Sequence, residues 1–71
     1  MSNTPGNLIN RGIRARREGR TRDAVQFYRE AADIYRLQPD PLRFAHTIRH
    51  IGDILLEAGL LEEARPSYKE V

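Results

Sequence analysis

The sequence predicts an all-α fold of about four helices packed as antiparallel hairpins, on three observations. Apolar residues recur at three- and four-residue steps over long stretches, as in Ala24, Phe27, Tyr28, Ala31, Ile34 and Tyr35, and again in Ala45, Ile48, Ile51, Gly52, Leu55 and Leu56. No run alternates apolar with polar residues as a half-buried strand would. The turn-forming residues Gly19, Pro39 and Gly59 fall between the helical stretches. With 71 residues the chain is long enough for one domain. A chain of that size buries only about 60% of its unfolded surface, so its core is thin.

The elements follow in order. Thr4 or Asn7 can cap a first helix near 7–18, after a disordered segment 1–6, and Gly19 supplies the left-handed conformation that ends it. Thr21 is placed to cap a second helix near 21–37, with Asp23 suited to the positive end of its dipole. Pro39-Asp40-Pro41 interrupts the pattern. Asp40 followed by Pro41 is also a start signal, so a third helix is expected near 41–58. Gly59 ends that helix and a fourth is expected near 61–70. Pro66 lies inside it, where the missing N–H deletes the bond to the Glu62 carbonyl and bends the helix rather than breaking it. The expected organisation is a first hairpin over 7–38 and a second over 39–71, incomplete because its last helix stops at Val71.

The two hairpins repeat one another. A shift of 40 residues superposes Gly12 on Gly52, Gly19 on Gly59, Ala24 on Ala64, Tyr28 on Tyr68 and Glu30 on Glu70. Each pair has a structural reason. Gly12 with Ala24, and Gly52 with Ala64, are small residues that let facing helices approach. Gly19 and Gly59 make the turns. Tyr28 and Tyr68 are expected to fill the space between neighbouring hairpins.

The series resembles the tetratricopeptide repeat family, whose pattern is W-x2-L-G-x2-Y, a turn, then A-x3-F. The second unit reads Ile48-x2-Ile51-Gly52-x2-Leu55, then Gly59, then Ala64-x3-Tyr68; the first reads Leu8-x2-Arg11-Gly12-x2-Ala15, then Gly19, then Ala24-x3-Tyr28. The first unit departs from the family at Arg11 and Ala15, where large apolar residues are usual. The period departs too, at 40 rather than 34. The longer period and the run Glu62-Glu63-Ala64-Arg65-Pro66-Ser67-Tyr68 are similar to the kinesin light chain variety. HEAT and armadillo repeats share the 40-residue period but not this glycine, alanine and aromatic series, and rank second.

Composition narrows the function classes. Cysteine is absent, so neither a disulfide nor a thiolate metal site supports the core. The N-terminus does not read as a secretory signal, and no stretch approaches the ~18 apolar residues of a membrane span; a cytoplasmic protein without membrane contact is expected. Serine occurs only at Ser2 and Ser67, no phosphate-binding loop follows a strand, and no nucleophile constellation is visible, so neither an enzyme nor a cofactor is expected. His46, His50 and Asp53 share one helix face and could in principle hold a divalent cation, but three ligands from one helix make a weak site; a polar groove lining is the preferred reading and no metal is expected.

Charge is uneven. Residues 1–38 carry eight Arg against four acids, a net of +4, while residues 39–71 carry four basic and six acidic residues, a net of −2. Arg11, Arg14, Arg16, Arg17, Arg20 and Arg22 form a cluster of the kind that neutralises phosphates. They spread around a helix and its turn, with no aromatic residue among them to stack on bases. An Arg-rich nucleic-acid module is therefore the alternative reading, behind a solvated surface or a wall facing an acidic protein.

The resemblance implies a short right-handed solenoid acting as a protein-interaction scaffold. In that family the first helix of each hairpin lines a concave groove that grips a partner's peptide or helix. The corresponding residues here are Asn10, Ile13 and Arg17 on the first helix and His46, Arg49, His50, Asp53 and Glu57 on the third. Ile9 and Ile13 stand where chaperone-binding members carry Lys and Asn, so that activity is not implied. Fewer than two full units also leave Leu61, Tyr68 and Val71 as a candidate apolar contact between copies, so a homo-oligomer is expected.

Overall fold

A computed structural model describes residues 4–69. It consists of α1 (Pro5–Arg17), α2 (Thr21–Leu37), α3 (Pro41–Glu57) and α4 (Leu61–Lys69), with no strand among the described residues. Consecutive helices pack against each other. Because only three residues join each pair, neighbours run antiparallel, and the fold is a stack of helix hairpins. The helix ends lie within two residues of those expected, apart from the end of α4 at residue 70, which falls outside the described residues. Expected disorder over residues 1–3 falls outside them too. Pro5 and Gly6 were expected in that lead segment but form the first turn of α1. Thr4 caps it, its Oγ1 accepting from the Asn7 N–H at 3.2 Å, and Pro5 occupies the first helical position, where no N–H is needed.

Both hairpin turns have one construction. Gly19 and Gly59 sit at φ 79° and 78°. The Gly19 N–H donates to the Arg16 carbonyl at 3.1 Å and the Arg20 N–H to the Ala15 carbonyl at 2.8 Å; Gly59 and Leu60 repeat these bonds to Leu56 and Leu55 at 2.9 and 2.8 Å. This is the Schellman arrangement, which satisfies the last carbonyls of a helix. It corrects the expectation that Thr21 caps α2. Arg20 ends the turn and is itself the N-cap, without a side-chain capping bond, so Thr21 is drawn into the helix. The corner between α2 and α3 lacks glycine. There the Asp40 N–H reaches the Tyr35 carbonyl at 2.8 Å, and the Asp40 side chain accepts from the Arg43 N–H at 3.1 Å to start α3.

The core is a single cluster running through all four helices. It contains Ala15, Ala24, Val25, Tyr28, Ala32, Ile48, Ile51, Ile54, Leu55 and Ala64. Phe27, Ile34 and Tyr35, on the apolar stripe that the sequence shows for α2, are only half-buried, while Ile54 lies outside the stripe read for α3 and is buried. Buried Thr47 satisfies its hydroxyl on the Arg43 carbonyl at 2.7 Å. Among the described residues no buried side-chain polar atom lacks a partner. With Cα extents of 31 × 27 × 12 Å the molecule is a thin slab. No helix among the described residues is long and apolar enough to cross a membrane.

The glycines on α1 and α3 clear space for rings. A Cβ at Gly12 would lie 2.8 Å from Tyr28 Cε2, and one at Gly52 would lie 2.9 Å from Tyr68 Cζ and 3.1 Å from Ser67 Cβ. Ala64, the expected partner of Gly52, is fully buried, and the atoms nearest to the place of a Gly52 Cβ belong to Tyr68 and Ser67. Each tyrosine therefore packs inside its own hairpin. Tyr28 also reaches the neighbouring one, stacking on His50 at a ring distance of 6.0 Å.

Candidate functional site

At 100° per residue, the buried positions of α1 (Leu8, Gly12 and Ala15) form one stripe, and Asn10, Ile13 and Arg17 lie on the far side of it. On α3, Thr47, Ile48, Ile51, Gly52, Ile54 and Leu55 form the buried stripe, opposite His46, Arg49, Asp53 and Glu57. An ion pair ties the two helices together near the turns. Arg16 Nε donates to Glu57 Oε1 at 2.9 Å, and Arg16 Nη2 donates to Glu57 Oε2. The fork holds the Glu57 carboxyl below the ordinary carboxylate range and raises the Arg16 guanidinium. A small cleft of about 160 Å³ opens beside it, lined by Arg16, Gly19, Thr21, Ile54, Glu57 and Ala58.

A second fork joins α2 to α4, with Arg22 Nη1 and Nη2 donating to Glu63 at 2.7 and 3.2 Å. Both pairs span 41 residues, one more than the repeat. Equivalent helices of the two hairpins are therefore clamped in one register. Sequence reasoning placed Arg16 only in a general basic cluster and missed this role. The readable signal is the recurrence of Arg-to-Glu at the repeat period plus one.

The structure divides the eight expected groove residues into two sets. Three are engaged in holding the fold. Glu57 is gripped by Arg16, His50 stacks on Tyr28, and Asp53 accepts the Tyr68 hydroxyl at 2.5 Å. That last bond is the main reason the Tyr68 phenol is raised above its usual range; burial does the same for Tyr28, against the opposing charge of Arg16. Asn10, Arg17, His46 and Arg49 are exposed and make no side-chain hydrogen bond or ion pair with the described residues. Ile13, also on the outer side of α1, is half-exposed at 39%. The groove residues left unengaged are thus one isoleucine, two arginines, a histidine and an asparagine.

His46, His50 and Asp53 do not converge. His50 turns to Tyr28 and Asp53 to Tyr68, and no group of three His, Asp or Glu among the described residues could hold a metal ion. Of the expected contacts between copies, Leu61 is 55% exposed, Tyr68 is partly occupied by Gly52 and Asp53, and Val71 lies outside the described residues. No family model, curated protein or solved structure matches this chain.

Proposed function

We propose that this chain is a tetratricopeptide-like pair of repeat units, serving as a protein-interaction scaffold rather than an enzyme. Its partner is a peptide or helix that lies across α1 and α3. The observation that carries the reading is the duplication of one packing device. Glycine against its own hairpin's tyrosine occurs at Gly12/Tyr28 and again at Gly52/Tyr68, with the same Schellman turn at Gly19 and Gly59. Units that repeat their internal packing and clamp together in register are the elements of a repeat scaffold. Such a scaffold binds through the residues that its packing leaves unused. Here those are Asn10, Ile13, Arg17, His46 and Arg49.

The test is a peptide selected from a displayed random library for binding to the whole chain. Alanine at Arg17, His46 and Arg49 should weaken its binding by about tenfold or more, that is by about 1.4 kcal/mol, with helicity and melting unchanged. Selected peptides whose affinity responds only to substitutions on the outer faces of α2 and α4 would overturn the assignment.

A further inference from the structure

The 40-residue register shows what each face of a hairpin is built to meet. On α3, Ile51 and Ile54 are 1% and 2% exposed in the core, and Glu57 takes the Arg16 fork. These three residues dock the second hairpin onto the first. Their equivalents on α1, 40 residues earlier, are Arg11, Arg14 and Arg17. The side of the hairpin that receives a helix pair in the second unit therefore carries an exposed arginine at each of those three positions in the first.

These arginines are also charges without an ion pair among the described residues, as are Arg29, Arg49 and Lys69. Among the described residues, every carboxylate already has a partner. Glu18 and Asp23 are held by Arg20, Asp33 by Arg36, Asp40 by Arg43, Glu57 by Arg16, Glu62 by Arg65 and Glu63 by Arg22. Glu30 bonds Gln26, and Asp53 bonds Tyr68. Arg11, Arg14 and Arg17 have no ion pair among them. The helix dipole favours cations in the last turn, which accounts in part for Arg14 and Arg17 but not for Arg11, a turn further in. Spaced at i, i+3 and i+6, the three spread over about 120° of one face and about 9 Å of axis.

We propose that this arginine face of α1 docks an acidic helix of another protein, one carrying Glu or Asp at three- and four-residue spacing. Shape and charge both point to a helix. The same face already seats a helix hairpin in the second unit, and hairpin is already joined to hairpin by Arg–Glu forks at Arg16–Glu57 and Arg22–Glu63. A second copy stacked in the same register does not fit. It would set Leu56 against Arg17, the repeat of the Arg16–Glu57 pair, and Glu62 against Asp23, the repeat of Arg22–Glu63. Arg65 would also replace Val25, a core residue of the first hairpin. The proposal shares Arg17 with the groove reading, and Arg11 and Arg14, which lie outside the groove, distinguish the two.

The experiment uses the whole chain and an alanine-based helical peptide bearing a stripe of glutamates, with a glutamine isomer as control. The glutamate peptide should bind about tenfold or more tightly than the isomer, and weaken as salt rises from ~20 to ~300 mM. The double variant Arg11→Gln/Arg14→Gln should lose about tenfold in affinity, while Arg49→Gln stays within about twofold. The charge reversal Arg11→Glu/Arg14→Glu should instead select a lysine-striped peptide, which shows that loss of binding is not loss of fold. Four results would each overturn the proposal. One is equal binding of the glutamine isomer. Another is equal binding by the double variant. The third is a short single-stranded DNA that binds more tightly than the peptide at the same salt and depends on the same arginines, which would make this a phosphate-binding face. Loss of peptide binding in Arg49→Gln alone would assign the peptide to the groove and contradict docking on α1.

Discussion

Gly12 and Gly52 are the residues through which the two hairpins most closely resemble each other, and each is a glycine because a ring occupies the place of its Cβ. At Gly52 the obstruction includes Ser67 Cβ, which cannot rotate away. Gly52→Leu should therefore lower stability by about 1–3 kcal/mol through overpacking, although leucine is the better helix former. Gly6 is the contrast. It lies in α1 with nothing within 4 Å of its would-be Cβ and no positive φ, so Gly6→Ala should gain about 0.4–1 kcal/mol. Chemical denaturation of the two variants checks both signs, and a neutral or stabilising Gly52→Leu would contradict the packing. The sequence made the importance of these glycines readable but not their partners. Small residues suggested a glycine–alanine approach, and nothing in their pattern shows that the nearest neighbour is a tyrosine ring. Likewise Asp53 looked free on its helix, because periodicity along α3 says nothing of a hydroxyl arriving from α4.

Helix ends were legible where a single residue decides them. Thr4, Gly19, Asp40 and Gly59 all act as the sequence implies, because a side-chain oxygen at an N-cap or a glycine at positive φ is a local requirement. Thr21 misled because the backbone of the turn, not a capping side chain, sets the boundary. The tight turn needs the Arg20 N–H to close α1 and uses the Arg20 carbonyl to open α2, accepting from Ala24 at 2.9 Å, so the better capping side chain comes one residue too late. The core membership of Ile54 was missed because it lies at the edge of the α3 stripe, where only contact with a neighbouring hairpin buries it. In α4 the helix continues through Pro66 despite the lost backbone bond. Pro66 is exposed, so Pro66→Ala should stabilise the protein by as much as about 3 kcal/mol. A melting temperature left unchanged by that substitution would mean that α4 contributes little to the cooperative unit.

Across the whole molecule, the hairpins are held together by a shared apolar cluster and by forks at its surface. Glu57 and Glu63 are held below the ordinary carboxylate range by Arg16 and Arg22, and Asp40 by Arg43. A carboxyl lowered by folding contributes stability that is present above its unfolded pKa and lost as pH falls through the folded one. Tyr28 and Tyr68 are raised, so their contribution is present below the unfolded value and lost as pH rises through the folded one. The thermal midpoint should therefore fall below about pH 4.5 and above about pH 10, with the acid limb shallower in high salt. Melts followed by circular dichroism check this, and a midpoint that rises on acidification would contradict it. The forks are exposed, and a double-mutant cycle on Arg16 and Glu57 should return only about 0.2–1 kcal/mol. They fix register more than they supply stability.

The central claim is that the face shared by α1 and α3 is the working surface of the scaffold. It is tested most directly by amide chemical shifts of the whole chain, titrated with a peptide selected for binding. The account predicts that the shifts concentrate at Asn10, Ile13, Arg17, His46 and Arg49, while buried Ala24 and Ala64 stay in place. Shifts confined to the exposed side of α2 and α4, around Gln26, Arg29 and Arg65, would contradict it.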